Sequence, residues 1–186
     1  MERTELIPEL LELFRQHGYE GVSISTVAKA TGLGKSSLYH HFPDGKEQMA
    51  TEVLLHIDAA VREHFIGPLR GEGAPREKLA RMSNNVEAFY DGGRKNCVVD
   101  GLTLGEASNL FQRSVAACVE SWIDAMAAVA VEAGVSKKLA RERGESAVIA
   151  IEGSLVLSRA LKNSQIFKRE VKNLPRLVLE GLTPGG

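Results

Sequence analysis

Residues 21–49 read GVSISTVAKATGLGKSSLYHHFPDGKEQM, and the fold turns on how that stretch divides. Ser23 can cap a helix from about Ile24 to Thr31, because a serine hydroxyl accepts from an unpaired amide of the first turn. Gly32 ends that helix, Leu33 can plug the turn, and Gly34 opens a second short helix from Lys35 to Phe42. Pro43, Asp44 and Gly45 break the second one. Two short helices joined by a glycine turn form the helix-turn-helix arrangement, whose second helix can lie in the major groove of DNA. In that helix Leu38 and Phe42 face inward. Lys35, Ser36, Ser37, Tyr39 and His40 face outward, and all can hydrogen-bond.

Helical periodicity extends in both directions. Leu6, Ile7, Leu10, Leu11 and Phe14 make one stripe of a first helix that Gly18 can stop. Pro8 removes a backbone donor, so regular helix is expected only from near that residue. A long helix begins at Lys46 and is expected to end at Phe65, before Gly67 and Pro68. Further helices are read over Arg76–Tyr90, Asn109–Ala133, Ser136–Lys162 and Ser164–Leu182, the last kinked by Pro175; Cys97–Ser108 is open between a β-like and a helical reading. No strand-alternating segment of useful length occurs. The expected fold class is all-α.

The chain has 186 residues, 44% hydrophobic and 25% charged, the mix of an ordinary globular protein. Its 23 Lys and Arg against 24 Asp and Glu leave a net charge of −1, so nucleic-acid binding must come from a local patch. Such a patch exists: Lys29, Lys35 and Lys46 stand against Asp44 alone between Val22 and Lys46, whereas the first helix is acidic. The longest apolar run, Ala125–Val131, is too short to span a bilayer, and the N-terminus has no secretory-signal layout. Cys97 and Cys118 form no CxxC pair, so a reducing cytoplasm is the expected location.

Competing chemistries fail on spacing. Gly34-Lys35-Ser36 resembles the end of a P-loop, but the motif's first glycine would fall at Lys29, on a helix rather than after a strand. Gly32-x-Gly34 lacks the third glycine of a dinucleotide fingerprint, since Ser37 stands there. Adjacent His40 and His41 point in different directions and have no third ligand near in sequence, and His41 is expected to be a packed ring. No GxSxG, HExxH or CxxC occurs, which leaves an enzyme, a metal site or a cofactor without sequence support.

Several features together resemble the TetR family of bacterial transcriptional regulators. They are Gly18-Tyr19 closing the first helix, Val27-Ala28 in the second, Gly32 in the turn, Leu38-Tyr39-His40-His41-Phe42 in the third, and Lys46 opening the fourth. The run HHFPDGKEQM is closer to the branch that includes regulators of antibiotic-efflux genes. Gly34 departs from the family's usual Ser or Thr cap, and Pro8 replaces a helix former. The resemblance implies an N-terminal three-helix helix-turn-helix DNA-binding domain, residues 1–46, and a larger helical ligand-binding and dimerisation domain, residues 47–186. Ser23, Tyr39 and Lys46 would hold phosphates, while Lys35, Ser36, Ser37 and His40, with Ser25, would lie nearest base edges.

In the larger domain, His56, Phe65, Met82, Phe89, Tyr90, Cys97, Cys118, Trp122 and Met126 are most simply core packing. Their alternative role is to line an apolar effector cavity, with Asn84, Asp100, Glu106 and His56 as its polar groups. Ala147, Ile151, Ser154, Ser158 and Leu161 recur at helical spacing, and Leu174 and Val178 lie on the last helix. They are read either as an intrachain face or, as the resemblance implies, as the interface of a homodimer. The expected function is a ligand-responsive repressor that binds a palindromic double-stranded operator and is released by a small apolar or aromatic effector. The competing class is a helical small-molecule-binding or catalytic protein that has lost DNA readout; an intact hydroxyl and lysine surface over residues 35–46 argues against it.

Overall fold

A computed structural model describes residues 2–180, and every regular element among them is helical. In chain order these are α1 (Arg3–Gly21), α2 (Ile24–Thr31), α3 (Lys35–His41) and α4 (Gly45–Ala60), followed by a π-helical stretch Val61–Ile66 and α5 (Gly67–Arg70). After them come α6 (Pro75–Phe89), α7 (Val98–Leu102), α8 (Gly105–Glu132), α9 (Lys137–Ala160) and α10 (Gln165–Glu180). The chain divides into two compact units, Met1–Ala59 with Cys97–Ala117, and Ala60–Asn96 with Cys118–Gly186.

Two expectations are corrected. Helix α1 starts at Arg3 rather than near Pro8. The Glu5 carboxylate accepts from the Glu2 amide at 2.7 Å, which fixes the start, and Pro8 sits on the exposed side where the carbonyl it leaves unpaired meets water. The backbone also stays helical past Phe65 to Arg70. A wider turn makes this possible: the Gly67 amide reaches back five residues to the Arg62 carbonyl. An α-helical Pro68 would collide with the carbonyl of His64, four residues back, and could offer it no donor. The Asn85 side-chain amide donates to that carbonyl at 2.7 Å instead. Pro175 lies inside α10, buried with Leu174, and Leu182 falls outside the described residues.

The undecided segment is helix, a short α7 and the start of α8. Gly18 has φ 63° and ψ −178°, a region open essentially only to glycine, and interrupts α1 one turn before its end. It lets α7 come close: a β-carbon on Gly101 would lie 2.7 Å from the Gly18 Cα. The core of the first unit is Leu6, Leu10 and Phe14 of α1, Val27 of α2, Leu38 with Phe42, and Met49 and Val53 of α4.

The second unit buries Phe65, Leu79, Met82, Val86, Met126 and Phe167. Helix α10 lays Phe167, Val171, Leu174 and Val178 against α9 and α6, and the Arg143 guanidinium closes its C-terminal end by donating to the Leu179 and Glu180 carbonyls at 2.5 and 3.0 Å. Helix α8 is long and apolar enough to cross a membrane, with a mean hydropathy of 1.5 over its best window. Arg113, Glu120 and Asp124 interrupt it and Phe111, Val115, Trp122 and Met126 are buried in protein, the arrangement of a core helix.

Candidate nucleic-acid interface

The helix-turn-helix is built as its sequence dictates. The Ser23 hydroxyl accepts from the Thr26 amide at 3.1 Å, and the Thr26 hydroxyl accepts from the Ser23 amide at 2.8 Å. The reciprocal cap fixes where α2 begins. Thr26 was not among the residues singled out from sequence, although its position three residues after Ser23 is the signal. Gly32 has φ 71°, the left-handed conformation that lets the chain turn at once into α3. Gly45, at φ 63°, does the same between α3 and α4, and a β-carbon there would lie 3.5 Å from the Tyr39 ring.

Leu38 and Phe42 are fully buried and anchor α3. Lys35, Ser36, Ser37, Tyr39 and His40 are all exposed around the rest of the helix, as are Ser23, Ser25 and Lys29 on the α2 side. Gly34 caps α3 without a side-chain hydrogen bond. His41 is half-buried, its ring 5.7 Å from that of His40 and 6.4 Å from that of Phe42.

Lys46 makes a contact that the sequence did not signal. Its ammonium donates to the Tyr19 carbonyl at 3.1 Å and sits 4.0 Å above the centre of the Tyr19 ring. It thus ties the start of α4 to the end of α1. An ammonium has three N–H groups, so donors remain for a phosphate. Tyr19 is buried between Phe14 and Phe111, and its hydroxyl pKa is raised above 10.0, first by desolvation and then by the nearby carboxylates of Glu47, Glu20 and Glu106. It stays neutral and serves as packing.

The residues read as ligand-lining separate in the structure. His56 is exposed, because α4 buries the Met49, Val53 and Ile57 stripe and turns His56 away from it. Cys97 is buried in the first unit and Cys118 is half-buried. Phe65, Phe89, Tyr90 and Trp122 do come together: Phe65 is 5.3 Å from Phe89 and 4.9 Å from Trp122, and Phe89 is 5.1 Å from Tyr90. Tyr90 continues the series to Phe167 at 5.8 Å, a residue sequence reasoning missed. With fully buried Met82 and Met126, Phe65, Tyr90 and Trp122 form packed interior, and Phe89 is half-buried beside them. Of the proposed polar groups, Asn84 and Glu106 are exposed and Asp100 is half-buried.

The homodimer face is corrected too. Ala147, Ile151, Ser154, Ser158, Leu174 and Val178 are buried within the single chain, where α9 and α10 pack together. The Ser158 hydroxyl accepts from the Phe167 amide at 3.1 Å and the Ser154 hydroxyl donates to the Ile151 carbonyl at 2.8 Å, so the small stripe serves close intrachain approach. Leu161 alone of the set is exposed, at 64%. It is the residue that ends α9 and lies beyond its packed turns, while Ile149, Val156 and Leu157 are exposed on the helix itself.

An exposed polar helix held by two buried anchors, at the end of a capped helix-turn-helix, defines a DNA-binding regulator. Residues 7–53 match the family described as bacterial regulatory proteins, tetR family. Residues 75–172, more than half the chain, match the transcriptional regulator LmrA/YxaF-like C-terminal domain, and with both matches the chain belongs to the tetR family of regulators. Among relatives, it is 27% identical over 171 residues to the HTH-type transcriptional regulator LmrA of Bacillus subtilis, covering 87% of this chain and 88% of that one. It is 26% identical over 181 residues to YxaF of the same organism, covering 95% and 94%. A TetR transcriptional regulator from Legionella pneumophila shares the fold with a TM-score of 0.78 at 17% identity, over 92% of this chain and 94% of that one. The protein is a transcriptional regulator of a ligand-responsive family whose members are mostly repressors.

Proposed function

We propose that this regulator binds a palindromic operator as a homodimer, setting one α3 into the major groove of each of two half-sites about 34–36 Å apart, and that a small effector releases it. The exposed Lys35-Ser36-Ser37 and Tyr39-His40 face of α3 carries the reading. Lys35, Ser36, Ser37 and His40, with Ser25, read base edges; Ser23, Tyr39 and Lys46 position the helix on phosphates. DNA reading belongs to residues 1–46, and effector binding and dimerisation to residues 47–186, although residues 97–117 pack in the same compact unit as the head. The protein works in the cytoplasm, without enzymatic activity, and its effector is small and largely apolar. The dimer uses the outward face of α9, where Ile149, Gly153, Val156 and Ala160 recur at helical spacing and all are exposed, a face a second copy would cover.

The test is selection of bound genomic duplexes with the purified protein, followed by fluorescence anisotropy on the selected fragment. Lys35→Ala is expected to cost about 1–3 kcal/mol on that fragment and little on unrelated duplexes. Lys46→Ala is expected to weaken all sequences alike and to lower the salt slope by about one. Equal losses on selected and unrelated DNA for Lys35→Ala would remove it from base reading, and failure to bind any duplex at low salt would overturn the whole proposal.

A further inference from the structure

A groove of about 470 Å³ lies in the second compact unit, between α5, α6 and the C-terminal half of α8. Its wall is apolar at Leu69, Ala125 and Val129, and its charged groups are Arg70, Lys78, Asp124 and Glu132. Lys78 is the unusual member. Its side chain is only 11% exposed, and its ammonium donates twice to one carboxylate, Glu132, at 2.8 and 3.0 Å. Glu132 itself is 47% exposed. A nearly buried cation is therefore neutralised by a carboxylate that water can reach, and its third N–H is not taken up by either contact.

The remaining charges set the sign of what could join them. Asp124 is already paired with Arg141 at 2.5 Å, and Arg141 lies outside the groove. Arg70 is in no ion pair among the described residues. Once the internal pairs are matched, the groove holds one surplus cation at its rim and one deep ammonium with a donor to spare. We propose that it binds a small amphipathic carboxylate, its acid group between Lys78 and Arg70 and its apolar body against Leu69, Ala125 and Val129. Charge-assisted contacts in a partly desolvated groove favour the ionised acid over a neutral isostere. Glu132 is the like-charged competitor for the same ammonium, and removing its charge strengthens the anion's hold. That such a ligand acts as the effector rests on the function proposed above; that it binds does not.

The experiment is calorimetric titration of the full-length protein with 1-naphthoate and with 1-naphthamide. The same size and apolar surface with and without charge isolate the acid's contribution. The wild type is expected to prefer the acid by about tenfold or more, the scale of one charged hydrogen bond. Lys78→Met, which keeps the packing volume and removes the cation, is expected to abolish that preference, bringing the acid-to-amide affinity ratio to about one. Glu132→Gln, which keeps an oxygen acceptor for the Lys78 ammonium and removes the competing charge, is expected to tighten naphthoate several-fold relative to the amide, with the melting temperature of the variant checked alongside. Equal affinity for acid and amide, or a preference that survives Lys78→Met, overturns the site. A duplex-release assay run in parallel separates the two readings: acid-selective binding that leaves DNA affinity untouched keeps the groove as a carboxylate site and overturns the effector role instead.

Discussion

Gly101 makes the sharpest demand of any single residue in the first unit. The backbone of α7 approaches α1 at Gly18, and a methyl group at Gly101 would come within 2.7 Å of the Gly18 Cα, with backbone rather than a flexible side chain in its way. Gly101→Ala is expected to lower stability by about 1–3 kcal/mol, the usual cost of overpacking a closed contact, read as a shift in the urea midpoint. Gly34 makes the opposite demand. Nothing lies within 4 Å of where its β-carbon would stand, its backbone conformation is ordinary, and it caps α3 without a side-chain acceptor. Gly34→Ser is expected to add a few tenths of a kcal/mol. An equal response at both positions would mean that conformational freedom, and not the approach of α7, governs Gly101.

Among the elements, the helical path from Gly45 to Arg70 shows how a proline can be carried inside a helix. The π-turn opens the ring of backbone bonds before Pro68, and the Asn85 amide takes the carbonyl that the proline cannot serve. The two residues should be energetically coupled. Asn85→Ala in the wild-type background is expected to cost about 0.5–1.5 kcal/mol, the net worth of one hydrogen bond. In a Pro68→Ala background, where residue 68 has its own amide, the same change is expected to cost less. A double-mutant cycle on unfolding free energies reads the difference, and additive effects would show that Asn85 does not substitute for the missing donor.

For the whole molecule, the proposed homodimer rests on the exposed face of α9. Leu157 is 52% exposed and points away from α10, whereas Ser158, one position on, is buried and accepts from the Phe167 amide. Leu157→Glu is expected to yield a folded monomer with weakened operator binding, seen by sedimentation and anisotropy, because each half-site would then be held alone. Ser158→Arg is expected to unfold the second unit instead, since a charge would be driven into the α9–α10 packing. A folded, dimeric Leu157→Glu protein would move the interface off this face.

Local rules were enough for the DNA-reading part. The Ser23 cap, the left-handed Gly32, the Leu38–Phe42 anchors and the outward polar face each follow from two to four neighbouring residues, and each stands in the structure. The all-helical class followed likewise from periodicity. Periodicity says that a helix has an apolar stripe but not what covers it, and there only tertiary packing decides. The small stripe of α9 meets α10 of its own chain, His56 turns outward, and Phe167 joins the aromatic interior from a helix far along the sequence. The same limit hid the Lys46–Tyr19 tie, the Asn85 bond to the His64 carbonyl and the Lys78–Glu132 pair, because each joins residues at least 21 positions apart through contacts that no local pattern encodes.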